Sequence, residues 1–325
     1  MTTYKEIKGT QIEAVSSDPS NPIEGQVWYN TTDNVLKGQA ATAAGSWASG
    51  GALNTGGIFG TSNGFGTQSA GGVAGRLQEA GPSPGQKANT ELYNGTSWTE
   101  SGDLGTARNA AAVGGTYTSA LHAGGQEPTN TAKTESWNGS SWTEVNDLNQ
   151  ARGYFTGSIE SNSAGIAYGG ITPATSTGVA ITESWNGSNW TEVNDLNNAR
   201  RSNAGAGTST NAVAMGGYTT TSVGNTELWN GSNWTEVADN PSAGGGAAFG
   251  VYNDALLTNG TTATLWNGTA WSSTTSSSSP TSNRAGLGTT PAGLKTGGEP
   301  PNVGITITEE WTGPGVSQTR TFTDS

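Results

Sequence analysis

The stretch ESWNGSNWTEVNDLNNAR, Glu183–Arg200, contains the pattern that recurs along this chain of 325 residues. Its two tryptophans flank an Asn-Gly dipeptide, and an Asp-Leu-x-x-Ala-Arg sequence follows them. Related copies begin at Glu91, Glu135, Glu227 and Thr264. The five copies close with Trp98, Trp142, Trp190, Trp234 and Trp271, which are 44, 48, 44 and 37 residues apart. This period, with a tight turn in every unit, predicts a radial array of small β-sheets.

Each copy is predicted to form a β-hairpin with Asn-Gly as a two-residue type I′ loop, because that turn requires positive φ at both positions. In the first copy this register places Tyr93 opposite Thr96 and Glu91 opposite Trp98. Tyr93 and Trp98 then become diagonal neighbours on one face, where they pack against the next sheet. Removing one such tryptophan is expected to cost roughly 3–5 kcal/mol. The five turn dipeptides are Asn94-Gly95, Asn138-Gly139, Asn186-Gly187, Asn230-Gly231 and Asn267-Gly268.

Two further strands precede each hairpin, and the second of them ends in a Gly doublet, as at Gly125, Gly170 and Gly217. One unit is therefore a four-stranded antiparallel sheet. The Gly doublets, the following tryptophans and the Ala-Arg that opens the next unit make residues 50–312 resemble the kelch-type β-propeller family. The resemblance implies an all-β ring, and the Gly doublets count six four-stranded blades.

The ring needs a closing strand, because no second tryptophan follows Trp311 in the last unit. The segment around Trp47 has the spacing of a fourth strand, so we expect residues 46–325 to form the propeller and to be closed by this segment. The alternative is that Ser317–Thr323 supplies the strand, in which case residues 1–54 form a separate arm.

Residues 1–45 are expected to form an extended N-terminal arm with one hairpin. Within residues 17–37, SDPSNPIEGQVWYNTTDNVLK, Thr31–Asn34 is predicted to be the turn between Val27–Asn30 and Val35–Lys37. This segment resembles a short Gly-x-x-Trp-Tyr-Asn-Thr hairpin found near the start of many structural and tail-fibre proteins of tailed bacteriophages. The resemblance implies a structural protein located in the virion.

The composition argues against several classes of function. With 13 basic and 25 acidic residues, the net charge is −12, which is unsuited to neutralising nucleic-acid phosphates. The chain has no cysteine and a single histidine, and no stretch approaches membrane-spanning length. We find no pattern for a metal, a cofactor or an acid/base pair, so neither catalysis nor membrane insertion is expected.

Some repeated polar residues are candidates for binding. Arginines are expected to ring one mouth of the channel, where they could clamp an anion or an acidic glycan; alternatively, each guanidinium bonds carbonyls of the neighbouring blade. These candidates are Arg108, Arg152, Arg200 and Arg284. The aspartates that follow four of the five closing tryptophans are expected to cap turns, and His122 is expected to be structural. The aspartates are Asp103, Asp147, Asp195 and Asp239.

These features together predict a non-enzymatic virion protein, associated with a tail or fibre, that presents its propeller to host-surface glycan. Residues 1–45 would contact other virion proteins, and aromatics in the irregular loops Gly75–Thr90 and Ile171–Ile181 would stack on sugars. One alternative is a purely architectural decoration or adaptor protein of the virion. Another is a polysaccharide-degrading propeller enzyme, which the lone histidine and the lack of paired carboxylates disfavour.

Overall fold

The computed structural model describes residues 12–20, 22, 25–41, 44–60, 64–78, 84–280, 282–299, 305–315 and 317–322. This part of the chain consists of strands joined by turns and bends. It includes no helix that is long and apolar enough to cross a membrane. Contacts divide the chain into two compact units. One is Trp47–Thr312, and the other combines the described residues before Trp47 with those after Thr312.

The N-terminal residues form four short strands: β1 (Glu13–Val15), β2 (Val27–Asn30), β3 (Val35–Ala41) and β4 (Ser46–Ser49). Strands β2 and β3 pair antiparallel across the turn at residues 31–34, as the sequence predicts. Asn34 closes that turn with φ 56, a conformation that asparagine tolerates better than most residues.

Six four-stranded sheets make up the unit Trp47–Thr312, and we number them along the chain. Sheet 1 has β5 (Phe65–Thr67), β6 (Ala70–Gln78), β7 (Gly85–Tyr93) and β8 (Trp98–Glu100). Sheet 2 has β9 (Ala112–Thr116), β10 (Ser119–Ala123), β13 (Thr134–Trp137) and β14 (Trp142–Val145), and a small hairpin of β11 (Gln126–Glu127) and β12 (Thr129–Asn130) lies between β10 and β13 in the chain. Sheet 3 has β15 (Thr156–Ser161), β16 (Ala164–Tyr168), β17 (Thr182–Trp185) and β18 (Trp190–Val193). Sheet 4 has β19 (Ala204–Gly207), β20 (Ala212–Tyr218), β21 (Ser222–Trp229) and β22 (Trp234–Val237); sheet 5 has β23 (Ala247–Val251), β24 (Asp254–Asn259), β25 (Thr262–Trp266) and β26 (Trp271–Ser273); sheet 6 has β27 (Ala285–Gly288), β28 (Ala292–Thr296), β29 (Thr308–Thr312) and β4.

The first strand of each sheet contacts the first strand of the next, and β27 of sheet 6 contacts β5 of sheet 1. The six sheets therefore close into a ring around a channel. In sheet 6 the structure places the N-terminal strand β4 beside β29. Backbone bonds continue this pairing beyond the strand, from Gly50 N to Thr308 O at 2.9 Å and from Leu53 N to Thr306 O at 2.8 Å.

The C-terminal strand β30 (Ser317–Phe322) pairs with β3, not with the ring. Together β1, β2, β3 and β30 form a seventh four-stranded sheet, in which β1 runs parallel to β2. The predicted count of six four-stranded sheets is therefore too low by one. The sequence pattern missed this sheet because two of its strands come from opposite ends of the chain and carry no copy of the repeat. Residues 1–11 of the predicted arm lie outside the described residues.

Asp18 organises the seventh sheet through its side chain. Its Oδ1 accepts bonds from Trp28 Nε1 at 3.0 Å and Asn30 Nδ2 at 2.8 Å, and Lys37 Nζ lies 2.8 Å from Oδ2. The bonds from Lys37, Asn30 and Trp28 lower the pKa of Asp18 to about 2. The carboxylate therefore stays charged and keeps the buried Trp28 ring in place throughout the neutral range.

The two-residue loop that we predicted for the Asn-Gly hairpins is wrong. Tyr93 pairs directly with Trp98, so residues 94–97 form a four-residue loop. Asn94 Oδ1 accepts bonds from Thr96 N and Ser97 N, at 3.0 and 2.9 Å, and only the Gly of the dipeptide has positive φ. The asparagine thus stabilises the loop with its side chain instead of adopting a left-handed backbone. The observed pairing differs from the predicted one by two residues. Tyr93 and Trp98 therefore stay on the same face of the sheet and lie directly opposite each other instead of diagonally.

The core consists of separate apolar clusters between neighbouring sheets. Between sheets 2 and 3, for example, Leu121 and Ala123 of sheet 2 belong to one cluster with Trp185 and Trp190 of sheet 3. Aromatic pairs of this kind have ring centroids 4.8–5.4 Å apart, a separation at which the rings are in contact. The cluster between sheets 5 and 6 includes Trp47, which is only partly buried. The ring is thus held by inter-sheet contacts that repeat from blade to blade.

Candidate functional site

Each closing tryptophan fastens its sheet to the preceding one. Its indole N–H donates to the hydroxyl of a threonine in the third strand of that neighbour, at 2.9–3.2 Å. The pairs are Trp98 with Thr308, Trp142 with Thr90, Trp190 with Thr134, Trp234 with Thr182 and Trp271 with Thr226. The threonine of the Thr-Glu dipeptide in the third strand therefore has a role that was not predicted from the sequence.

The glutamate of the same dipeptide holds a buried arginine. Five sheets contain such an ion pair: Arg76–Glu91, Arg108–Glu135, Arg152–Glu183, Arg200–Glu227 and Arg284–Glu309. The carboxylates also accept backbone bonds from the preceding crossover, as Glu183 does from Asn149 N at 2.7 Å. The pairs are thus surrounded by hydrogen bonds, which is the condition for keeping such charges in an interior.

The four arginines proposed as an anion clamp are buried in these pairs. Arg108, Arg152 and Arg200 have 0% exposure and Arg284 has 1%. Each guanidinium bonds a glutamate of its own sheet, and Arg152 also bonds two carbonyls of that sheet, at Gly169 and Ile181. A ligand at the channel mouth cannot reach donors that are buried in this way. The geometry argues against the clamp and gives these arginines a structural position.

Sheet 1 supplies its arginine from a different place. Arg76 lies in the second strand, where the other sheets have their Gly doublet, and Gly57 stands in the crossover. A Cβ on Gly57 would lie 2.6 Å from Arg76 Cδ, so the glycine makes room for the arginine. The glutamate at this repeat position, Glu91, is therefore paired with an arginine from the second strand instead of the crossover. The repeat pattern alone could not predict this substitution.

Sheet 5 lacks this polar arrangement altogether. It has Gly244 in the arginine position, Thr264 in the glutamate position and Ala263 in the threonine position. Asn240 Nδ2 bonds Thr264 Oγ1 at 2.8 Å, and Trp47 of sheet 6 donates to the Thr275 carbonyl instead of a hydroxyl. Sheet 5 therefore lacks both the arginine and the glutamate of the ion pair. This is expected, because burying either charge without its partner would destabilise the fold.

Three of the four aspartates that we expected to cap turns bond the third strand of the sheet that precedes them. Asp103, Asp147 and Asp195 accept bonds from the backbone N–H of Thr90, Thr134 and Thr182, at 3.0–3.3 Å. No group of three or more His, Asp or Glu that could hold a metal ion occurs in the part of the chain that the structure describes.

His122 is buried inside sheet 2. Its Nδ1 accepts a bond from Arg108 Nε at 3.2 Å. Burial, with a contribution from the Arg108 charge, lowers the pKa of His122 well below its usual value. The imidazole is therefore neutral at physiological pH and contacts the protein interior, as expected for a structural histidine.

A cavity of about 150 Å³ lies in the central channel, where the first strands of the sheets meet. Small residues such as Gly114, Gly157 and Gly205 line it. Added side-chain carbons there would collide with neighbouring sheets, for example at 2.9 Å from Ile159 for Gly114. This space can hold a few water molecules but no sugar ring.

A larger cavity of about 370 Å³ lies where the crossovers enter sheets 3 to 6. We call it the mouth pocket, and its side chains come from Tyr154, Arg201, Ser202, Tyr218, Ser222, Asn259, Ser282 and Asn283, with Gly217, Gly244 and Gly245 completing the wall. It therefore combines two aromatic rings, several hydroxyl and amide groups and one guanidinium. This composition suits a polar ligand with an apolar face.

The mouth pocket lies at an interruption in a chain of backbone bonds. Around this mouth Phe59 N donates to Asn283 O at 3.0 Å, Ala110 N to Phe59 O at 3.1 Å, Tyr154 N to Ala110 O at 2.9 Å and Ser202 N to Tyr154 O at 2.7 Å. Gly245 of sheet 5 would continue this chain between Ser202 and Asn283. Among the described residues, however, Gly245 N does not donate to Ser202 O, and Asn283 N does not donate to Gly245 O. Sheet 5, which also lacks the buried ion pair, thus borders the pocket with bare backbone.

Arg201 and Tyr218 form the wall of the pocket that sheet 4 contributes. Their backbones exchange two bonds, Arg201 N to Tyr218 O at 3.0 Å and Tyr218 N to Arg201 O at 2.8 Å. Directly opposed residues share a face, and the Arg201 guanidinium carbon lies 5.0 Å from the Tyr218 ring centroid. Neither residue was predicted from the sequence, although the doubled Arg200-Arg201 departs from the repeat.

The two loops predicted to carry sugar-stacking aromatics do not have this role. Of Gly75–Thr90, residues 79–83 lie outside the described residues, and the remainder extends the ladder between β6 and β7. Ile171–Ile181 has an exposed middle, but neither loop contains an aromatic residue. The rings nearest to such a role belong to Tyr154 and Tyr218 at the channel mouth.

Comparison with known proteins supports the architecture. No protein-family model matches the chain, and no curated protein does. Similar solved structures include one titled "Structure of YjhT", with 12% sequence identity and a TM-score of 0.63, over 79% of this chain and 95% of that one. At this identity the likeness shows the fold alone. The chain has an all-β propeller fold, which confirms the fold class predicted from the repeat.

Proposed function

We propose that this protein is a non-enzymatic structural component of a tailed-bacteriophage virion, associated with a tail or fibre, whose kelch-type propeller attaches to glycan on the host surface. The observation that carries the attachment role is the mouth pocket, with its hydroxyl, amide and aromatic side chains. Sugars are recognised by this combination, because rings pack on their apolar faces while amides and hydroxyls bond their hydroxyl groups.

The virion assignment is supported by the resemblance of the Trp28 hairpin to phage structural proteins. In this proposal residues 1–45 contact other virion proteins. The hairpin belongs to a sheet that also includes the C-terminal strand, so both ends of the described chain lie in one unit, as in a mounting module. That same observation favours the alternative of an architectural decoration or adaptor protein.

A binding experiment separates attachment from a purely architectural role. The purified full chain would be applied to an array of bacterial surface glycans, and we expect a defined subset to bind. A Tyr218→Ala variant should lose that signal. A Tyr252→Ala variant should retain it, because Tyr252 has the same 36% exposure but is not part of the pocket. Absence of any signal at high protein concentration would leave only the architectural alternative.

The virion assignment has its own test. Antibodies against the chain should label purified phage particles that carry its gene, and electron microscopy would show where. We expect labelling at the tail or its fibres; particles that contain no such protein would refute the assignment. Release of reducing ends from any bound polysaccharide would instead indicate the enzyme alternative.

A further inference from the structure

We propose that the mouth pocket recognises a saccharide carrying an anionic group, a carboxylate or a sulfate, and that Arg201 binds this group. The inference rests on the proposed attachment function and names its ligand class. It also moves the anion site from the four buried repeat arginines to an arginine outside the repeat pattern.

Charge is the first observation that supports an anionic ligand. Among the described residues that line the mouth pocket, Arg201 is the only charged one. It makes no ion pair with any carboxylate in the described part of the chain. Five other arginines, all buried, do make such pairs. In a chain of net charge −12, a cavity lined by one cation that has no ion-pair partner favours a negatively charged ligand. The nearby Glu299 is not among the lining residues, and its carboxylate accepts a bond from Asn283 Nδ2 at 2.8 Å.

The orientation of Arg201 is the second observation. The two-way backbone bridge places Arg201 opposite Tyr218, and the Tyr218 ring covers one face of the guanidinium at 5.0 Å. Its edge N–H groups are the donors that pair with planar carboxylate or with sulfate oxygens. A pre-positioned guanidinium loses little freedom on binding, so it is suited to anion recognition.

The remaining side chains suit the sugar ring. Tyr218 is 36% exposed, so part of its ring is available for an apolar sugar face. Asn259 uses its Nδ2 to bond the Ala243 carbonyl at 2.8 Å, and Asn283 uses its Nδ2 to bond Glu299 Oε2 at 2.8 Å. These bonds orient both amides and leave each Oδ1 as an acceptor for sugar hydroxyls. A volume of about 370 Å³ suffices for a ligand of one or two rings.

The test uses the full chain and pairs of disaccharides that share a sugar skeleton and differ in their anionic group. One pair is a galacturonate disaccharide and its methyl ester; the other is a sulfated galactan disaccharide and its desulfated form. We expect at least one anionic member to bind at least tenfold more tightly than its neutral counterpart in isothermal titration calorimetry at low salt. Preference within one pair identifies carboxylate or sulfate as the group bound.

Variants assign the preference to Arg201. Arg201→Gln should weaken binding of the anionic sugar at least tenfold and leave the neutral counterpart unchanged, whereas Arg201→Lys should retain part of the preference. Lys133→Gln removes one charge from the surface pair with Glu127 and should change neither. Thermal unfolding of each variant verifies that it is folded. If Arg201→Gln is unstable, the loss of preference is measured with Arg201→Lys instead.

The outcomes separate the two proposals. Equal affinity for charged and neutral sugars, or an unchanged preference in Arg201→Gln, would overturn the anionic inference while leaving glycan attachment intact. Failure of every saccharide to bind would overturn both. Loss of binding of charged and neutral sugars alike in Arg201→Gln would show a structural role for this residue and would also contradict the inference.

Discussion

Sheets 3 and 5 share four strands, an Asn-Gly turn and a pair of tryptophans, yet their polar interiors differ. Sheet 3 contains Arg152 and Glu183 in a buried ion pair, with Glu183 also accepting bonds from the crossover before it. Sheet 5 has Gly244 and Thr264 at these positions. The aromatic rings nevertheless stack alike, with centroids 5.4 Å apart in sheet 3 and 5.3 Å in sheet 5.

The two sheets show that different residues form the blade and fix the crossover that enters it. Turn and aromatic pair suffice for the four-stranded sheet, since sheet 5 retains both. The ion pair fixes the entering crossover, and where it is missing the chain of backbone bonds at the mouth is also interrupted. The mouth pocket lies at that interruption. Loss of the ion pair in one repeat thus coincides with the cavity at the channel mouth.

The largest expected effect comes from Trp190→Ala in sheet 3. The mutation removes a buried ring and its bond to Thr134 Oγ1, so it should lower the free energy of unfolding by about 3–5 kcal/mol. Trp271→Ala in sheet 5 should cost about 1–2 kcal/mol less, since that ring is only partly buried. Urea unfolding would measure both. Equal losses would show that the contacts of sheets 3 and 5 with their preceding sheets contribute equally to stability.

Breaking the ion pair tests the comparison more directly. Glu183→Thr leaves Arg152 buried without its carboxylate and should cost about 3–5 kcal/mol. Adding Arg152→Gly reproduces the residues of sheet 5. The double variant should lose less stability than the sum of the two single variants, by about 1–3 kcal/mol, because neither charge is then stranded. Additive losses in urea unfolding would mean that the residues are not energetically coupled.

Sheet 6 allows a test by pH, because Arg284 and Lys295 share Glu309. Burial, followed by the Arg284 charge, lowers the pKa of Lys295 from 10.5 to about 8. The folded state therefore releases this proton before the unfolded state does. The unfavourable contribution of the ammonium is complete below pH 8 and is relieved as the pH rises to 10.5.

Relative to a Lys295→Met variant, the wild-type protein should therefore gain up to about 3 kcal/mol of stability between pH 8 and pH 10.5. Parallel urea titrations of both proteins would measure the difference, and groups common to both cancel. A stability difference that does not change with pH across this window would contradict the lowered pKa.

The smallest effect is expected at the turns. Asn186 Oδ1 accepts two backbone bonds, both at 2.9 Å, and Asn267 Oδ1 accepts two at 3.0 and 2.8 Å. Replacing either with alanine should cost about 1 kcal/mol, and the two losses should agree within about 0.5 kcal/mol. Thermal or urea unfolding would show this. A clear difference would mean that sheet 5 also departs from sheet 3 at its turn.

The fold followed from the sequence because its strongest signals are local. Asn-Gly and the tryptophans that flank it lie within one hairpin, so their spacing reveals the sheet without knowledge of the remaining chain. The detail of the turn did not follow, since asparagine can stabilise it either by backbone conformation or by its side chain. The bonds from Asn94 Oδ1 show that the side chain is used.

The candidate site was harder to predict. The repeat drew attention to Arg108 and its equivalents, although a side chain repeated in blade after blade is most easily explained by the blade itself. Arg201 and Tyr218 lie 17 positions apart in the sequence, and nothing in their spacing indicates that they meet. Only the register of the strands that flank them brings guanidinium and ring together.

By itself the sequence determined that this protein is all-β, that its sheets repeat, and that aromatic rings pack between them, because turn chemistry and aromatic spacing act over a few residues. The tertiary structure alone decided which charges are buried, how many sheets the two chain ends add and where a cavity opens. These properties depend on contacts between residues far apart in the chain, and burial determines whether an arginine stabilises the fold or remains available to a ligand.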